Sequence, residues 1–233
     1  PDATRGVERR FKTGLTCHLV VKQYAAAGPL PAVLAAFEEA KTADPNRLDY
    51  LIRTHRLERE MVPTAALAHA RTWDALLPHM KPEAMLRNLG KMTAVGLLTG
   101  LDPHTRHVCG VLADPERLRK ARLHPLAFLN ALRVYQQGHG DKGKLTWQPV
   151  GQIVDALDAA FYAAFQTVRP TGKRLLLALD ISGSMDVSKI AGTGLSAREA
   201  SAALALVTAA VEPHYMMVGF TSSGSGYRSD WGL

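Results

Sequence analysis

One carboxylate and two hydroxyls stand at alternate positions, Asp180, Ser182 and Ser184, directly behind the apolar run 175–179 of "LLLALDISGSMD". Gly183 lets the turn fold tightly enough for the three oxygen donors to converge. Such a hard oxygen set, completed by water, suits Mg²⁺ or a similar divalent ion. Nucleophile chemistry fits less well. A serine-hydrolase elbow needs glycine two places either side of its serine, and Ser184 has Ser182 and Asp186 there. An aspartyl-phosphate enzyme wants a second acid two residues after Asp180, where Ser182 stands. The bland alternative is a polar turn whose hydroxyls satisfy backbone groups.

Other clusters carry weaker chemistry. "GHGDKGKL" approaches a phosphate-binding loop, with Gly138, Gly143 and Lys144 in place. Leu145 replaces the metal-binding Ser or Thr, and a helix rather than a strand precedes it. The glycines read instead as a helix cap and a chain turn, leaving His139, Lys142 and Lys144 on an exposed basic loop. "HTRHVC" offers His104, His107 and Cys109, without a second ligand group at metal spacing. In "THRLERE", His55 reads as a hydrogen-bonded core histidine. Arg53, Arg56 and Arg59 either face a phosphate groove or pair with Glu58 and Glu60.

Two kinds of element must position these groups. Up to about residue 169 the apolar spacing is helical, with helices expected at 30–42, 46–61, 82–98, 114–121, 125–137 and 150–168. Pro and Gly signals at "TADPN", "LTGLDP", "LADP" and "LHP" separate them. From "RPTGKRLLLALD" the pattern changes. Residues 175–179 form a continuous apolar run, as in a strand buried on both faces of a parallel sheet. "LSAREASAALALVTAAV" reads as a helix capped by Ser196 and Glu199, and 215–220 as the next strand after Pro213. The order is strand, helix, strand. Asp180 then lies at the carboxyl end of the first strand, where open α/β sheets bind ligands.

The chain has 233 residues, 47% of them hydrophobic, which is enough to bury a core. No apolar run is long enough to span a membrane, and the amino-terminal residues are polar and basic. Two cysteines, Cys17 and Cys109, imply neither a disulfide framework nor a thiolate zinc site. A cytoplasmic protein is the expectation. Net charge is +7, unevenly spread: residues 1–173 hold 24 basic against 16 acidic side chains, and 174–233 hold 4 against 5. The basic field of the first part favours polyanions, nucleic acid foremost, and the bland alternative is a solvated basic surface kept for solubility.

The DxSxS pattern resembles the metal-ion-dependent adhesion site of von Willebrand factor A-type domains. Together with "HRLERE", "MLRNLGKMT", "KARLHP", "GHGDKGKLTW" and "LDAAFYAAFQTVRPTGKR", in that order before it, the sequence resembles the Ro autoantigen family. That resemblance implies a HEAT-like helical repeat array of the TROVE type over 1–169, followed at 174–233 by the first part of a Rossmann-like, A-type βαβ segment. It implies no catalysis. The expected partners are small non-coding, Y-like RNA and the single-stranded ends of misfolded RNA in RNA quality control, with an exoribonuclease as a further partner. RNA contact is expected from Arg56, Lys91, Lys120, Arg122, His139, Lys142 and Lys144. The metal, Mg²⁺ by its donor set, is expected at Asp180, Ser182 and Ser184. The family's later threonine and aspartate ligands lie past the second strand, so the site is expected to be incomplete and the chain an internal piece of a longer protein. A reading from another class is a metal-dependent protein–protein adhesion module, in which a partner's carboxylate completes the coordination.

Overall fold

The structure, a computed structural model, describes residues 31–140 and 143–221. The chain divides into two compact units, with the division between Met80 and Lys81.

The first unit holds α1 (Ala32–Ala40), α2 (Pro45–His55) and α3 (Ala70–Leu76), with single 3₁₀ turns at Arg59–Met61, Ala66–Ala68 and Leu77–His79. Helix α2 starts where it does because the Asp44 carboxylate accepts the N–H groups of Asn46 and Arg47, with Pro45 pre-set in the first turn. It stops at Arg56, whose φ of 52° is left-handed and whose N–H returns to the Ile52 carbonyl. The helix expected through residue 61 therefore ends at His55, and Arg59 belongs to the following 3₁₀ turn. That break drives Leu57 into the core beside Leu48, Leu51, Ile52 and Trp73. The Trp73 indole N–H donates to the Leu67 carbonyl at 2.9 Å, so its burial leaves no polar group unsatisfied.

The second unit opens with α4 (Pro82–Ala94), α5 (Pro103–Leu112), α6 (Pro115–Ala121), α7 (Pro125–Gln136) and α8 (Gly151–Ala163). Helices α7 and α8 pack on each other, with α4 against α7 and α5 against α8. Met85, Leu89, Met92, Val108, Phe128 and Leu157 are buried between them. Two helices escaped the periodicity. Neither α3 nor α5 was expected, although Asp102 caps α5 by accepting the Thr105 N–H, and Pro103 occupies its first turn. Helix α4 ends short of the expected residue 98, since Gly96 takes a φ of 80°.

The remainder is β1 (Leu175–Asp180), the short α9 (Ser184–Val187), α10 (Ala197–Val211) and β2 (Tyr215–Phe220). The strands are parallel, in register from Leu175 opposite Tyr215 to Asp180 opposite Phe220. Ser196 and Glu199 form the expected capping box at the start of α10. Burial on both faces is not found. Leu175, Leu177 and Leu179 are half-buried, whereas Leu176 is 65% and Met216 61% exposed, so one face of the sheet is uncovered among the described residues.

The expected joint at 169–174 lies inside the second unit, where polar contacts tie βαβ to helices. Asn130 on α7 accepts the Gly194 N–H at 2.8 Å, and Arg133 lies 3.6 Å from Glu199. Glu212, buried at the end of α10, accepts the N–H groups of Thr171 at 2.6 Å and Gly172 at 3.0 Å. The Thr171 hydrogen bond, against the opposing effect of burial, holds the Glu212 carboxyl below its ordinary value.

Candidate nucleic-acid interface and metal site

Three separate stretches meet at one groove of about 430 Å³ in the second unit. Helix α4 supplies Leu86, Arg87, Gly90 and Lys91; Leu123 follows α6; the segment after α7 supplies Gly140, Leu145 and Trp147. Local chemistry fixes that segment. Gly138 turns the chain at a φ of 73°, where an added Cβ would meet the Trp147 carbonyl at 2.9 Å. His139 and Thr146 then pair as an antiparallel bridge, and the Trp147 N–H donates to Gly138 at 2.8 Å. The Trp147 indole N–H donates to the Tyr135 carbonyl at 2.9 Å, and its ring stacks near Tyr135. The other side of the ring lies so close to Gly90 that a Cβ there would sit 2.6 Å from it. Gly90 is therefore needed for the approach of the loop to α4. The Tyr135 hydroxyl completes the joint, 2.9 Å from the Thr93 hydroxyl and accepting the Val150 N–H.

The basic residues singled out from sequence share one property. Arg47, Arg53, Arg87, Arg117, Arg119 and Arg198 are each paired with a carboxylate. Among the described residues, Arg56, Lys91, Lys120, Arg122 and Lys144 are paired with none, and all but the half-buried Lys91 are exposed. Unpaired cations are the ones free to take a phosphate. In the second unit Lys91 lines the groove, Arg122 immediately precedes Leu123, and Lys144 immediately precedes Leu145. Lys120 lies in the last turn of α6, and Arg122 caps it in a left-handed conformation at a φ of 52°. His139 is exposed, with its ring Nδ1 3.2 Å from the Gly140 carbonyl oxygen. Lys142 lies outside the described residues. Arg56 belongs to the first unit, where it caps α2 with the same left-handed turn. Sequence reading did not find Asn130, Tyr135 or Trp147 as parts of the groove, because nothing in linear spacing shows that α7 and the loop converge on Gly90.

Hydrogen bonds hold the DxSxS turn together. The Ser182 N–H donates to Asp180 Oδ1 at 2.9 Å, and the Ser182 and Ser184 hydroxyls lie 3.1 Å apart. Octahedral Mg²⁺ with ligands at about 2.1 Å has neighbouring oxygens about 3.0 Å apart, so this spacing fits two adjacent ligands. Ser182, through its hydroxyl and then its N–H, holds the Asp180 carboxyl below its ordinary value and so ionised. Arg198, in the first turn of α10, donates to the carbonyls of Ile181 and Ser182 at 3.3 and 3.0 Å and pairs with Asp186 at 2.8 Å. It braces the turn from behind, a role the sequence did not disclose. His104 lies 3.5 Å from Asp102, and among the described residues no group of three His, Cys, Asp or Glu side chains could hold a metal. No helix among them is long and apolar enough to cross a membrane.

A succession of helices, followed by a parallel βαβ unit with DxSxS at the end of its first strand, defines a helical array joined to an A-type α/β fold. The TROVE domain family model matches residues 52–134, and the Ro60 vWA domain model matches 174–228. The chain belongs to the Ro autoantigen family. It is 45% identical to RNA-binding protein RO60 of Caenorhabditis elegans over 77% of this chain and 28% of that protein. It is 43% identical to RNA-binding protein RO60 of Deinococcus radiodurans over 73% of this chain and 32% of that protein. The crystal structure of the Deinococcus radiodurans RO (RSR) protein superposes with a TM-score of 0.73 at 39% identity, covering 81% of this chain and 38% of that one. The chain thus spans about a third of the length of these relatives.

Proposed function

We propose that this chain binds RNA without catalysing a reaction, as part of a ribonucleoprotein that holds small non-coding, Y-like RNA and single-stranded ends of misfolded RNA. The observation that carries the reading is the set of unpaired cations, Lys91, Lys120, Arg122 and Lys144, on and next to the three stretches that form one groove. Each neutralises a phosphate and releases counterions, so capture is electrostatic and largely indifferent to sequence. His139 adds to the same basic stretch, Lys142 follows it in sequence, and Arg56 adds a cation in the first unit. The relatives named as RNA-binding proteins support the reading. An exoribonuclease partner and a cytoplasmic setting complete the proposal.

The Asp180, Ser182 and Ser184 oxygens would hold Mg²⁺, which would supply a positive centre with open positions for a partner's oxygens. Of the chain's own groups, Asp180 contributes the single negative charge, the serines set the spacing, and Arg198 keeps the turn in shape. One carboxylate makes a weak site, so the Mg²⁺ dissociation constant of this chain should lie well above the micromolar range by calorimetry.

Filter binding of a short oligouridylate tests the RNA reading. With about four phosphates neutralised, log affinity should fall with log salt at a slope near −3. Affinity that ignores salt would overturn it.

A further inference from the structure

Beyond its cations, the groove lined by α4, α7, Gly140, Leu145 and Trp147 has the chemistry of a slot for an apolar ring. Its walls are apolar: Leu86 and Leu89 from α4, Ala127, Ala131 and Val134 from α7, and Leu145 with Trp147 from the loop. At about 430 Å³ it lies in the size range of small-ligand sites, and is far too small for a duplex. Polar groups are few and point to one mode of use. Arg87 is held by Glu83 at 2.5 Å, so Lys91 is the lining cation with no carboxylate partner among the described residues. Asn130 also lines the groove. Its Oδ1 is committed to the Gly194 N–H at 2.8 Å, which fixes the amide orientation and leaves Nδ2 with no protein acceptor among the described residues.

We propose that this groove receives one unpaired nucleobase of a single-stranded RNA, with Asn130 Nδ2 donating to a base carbonyl or ring nitrogen and the adjoining phosphate on Lys91. The proposal rests on the RNA-binding reading and adds to it a base subsite. A nucleotide is an apolar, flat base joined to an anion, and the groove lining offers apolar side chains, an amide donor and a cation. Arg122 and Lys144, exposed and next in sequence to the lining residues Leu123 and Leu145, add two further cations for the adjoining phosphates. Duplex RNA has no splayed base to offer, so the groove selects single strands.

Fluorescence anisotropy of the full chain tests this with a short oligouridylate, an abasic oligoribonucleotide of equal length and a short RNA duplex. Ala131→Phe, which fills the slot, should lower oligouridylate affinity about tenfold with an unchanged salt slope and leave abasic binding as it was. Lys91→Ala should instead flatten the slope by about one phosphate. Thermal unfolding of Ala131→Phe and of the milder Ala127→Leu confirms that they are folded. Irradiation of wild-type protein with a 4-thiouridine oligonucleotide needs no variant, and should crosslink at 86–91 or 145–147. Equal wild-type affinity for abasic and uridylate strands, or crosslinks that avoid both segments, would overturn the base subsite while leaving RNA capture standing. Failure of every RNA to bind wild type would overturn RNA capture itself.

Discussion

Asp102 shows how much one side chain can hold together. Partial burial disfavours its ionised form, but the Thr99 hydroxyl at 2.6 Å and the N–H groups of Thr105 and Thr99 outweigh that and bring its carboxyl down to about 2. Its ordinary value is 3.8, so the folded state prefers the ionised form. The stabilisation is fully present above the unfolded value and is lost as pH falls through about 2. Asp102→Asn should cost about 2 kcal/mol at neutral pH and flatten the acid limb of stability between about pH 4 and pH 2, measured by urea unfolding at several pH values. Gly90 is the second residue with a sharp expectation. A methyl group there would meet the Trp147 ring at 2.6 to 2.8 Å, and that ring is wedged against Tyr135. Gly90→Ala should destabilise by about 1–3 kcal/mol and shift the tryptophan emission, as the loop is pushed off α4. Emission and melting temperature like the wild type's would show that the ring can move aside.

At the scale of elements, helix starts and stops were readable where the chain writes them in backbone chemistry. Helices α2, α4, α5, α6 and α7 all carry proline in the first turn, behind Asp44, Lys81, Asp102, Asp114 and His124. Read only as a break, "LTGLDP" hides the fact that Asp-Pro also begins a helix, as it does in "LADP" before the expected α6, which is why α5 was missed while its cap stood in plain sight. Helix α3 had no such signal: seven residues with His69 before them and no side-chain cap. The stop at Arg56 was illegible for another reason, whereas that of α6 was read at 121 without its cause: Arg56 and Arg122 each stand in a left-handed cap, where glycine or asparagine is the residue expected. In that conformation an L-residue costs roughly 1–2 kcal/mol. Arg122→Gly should therefore stabilise the fold by about 0.5–1 kcal/mol, part of the relief being lost to the freer unfolded chain. The same change should weaken oligouridylate binding a few-fold and flatten its salt slope. Tighter folding with weaker binding would mark the strained arginine as kept for RNA; unchanged binding would make it a tolerated cap.

At the scale of the whole molecule, the serine turn at 180–184 was legible in the sequence as a candidate site because its three oxygen donors are local, whereas the groove was not, because its walls come from residues 83 to 147. The sheet shows the same limit. An apolar run predicts burial, but it cannot say whether covering layers exist on one side or two. Here α10 lies along β1, while Leu176 and Met216, paired across the strands, and Phe220 at the strand end stay open. Stability should accordingly be concentrated among the helices. Leu157, fully buried in α8, should cost about 2–5 kcal/mol when replaced by alanine. Leu176→Thr and Met216→Thr should each change stability by no more than about 0.5 kcal/mol. Hydrogen exchange gives the same contrast without mutation: amides of Gly151–Ala163 should exchange near the rate set by global unfolding, and those of Leu175–Asp180 and Tyr215–Phe220 faster, through local opening of a two-stranded pair. Equal protection in strands and helices, together with a large penalty for Leu176→Thr, would mean that the open face is covered in solution and that the sheet folds as one body with the helices.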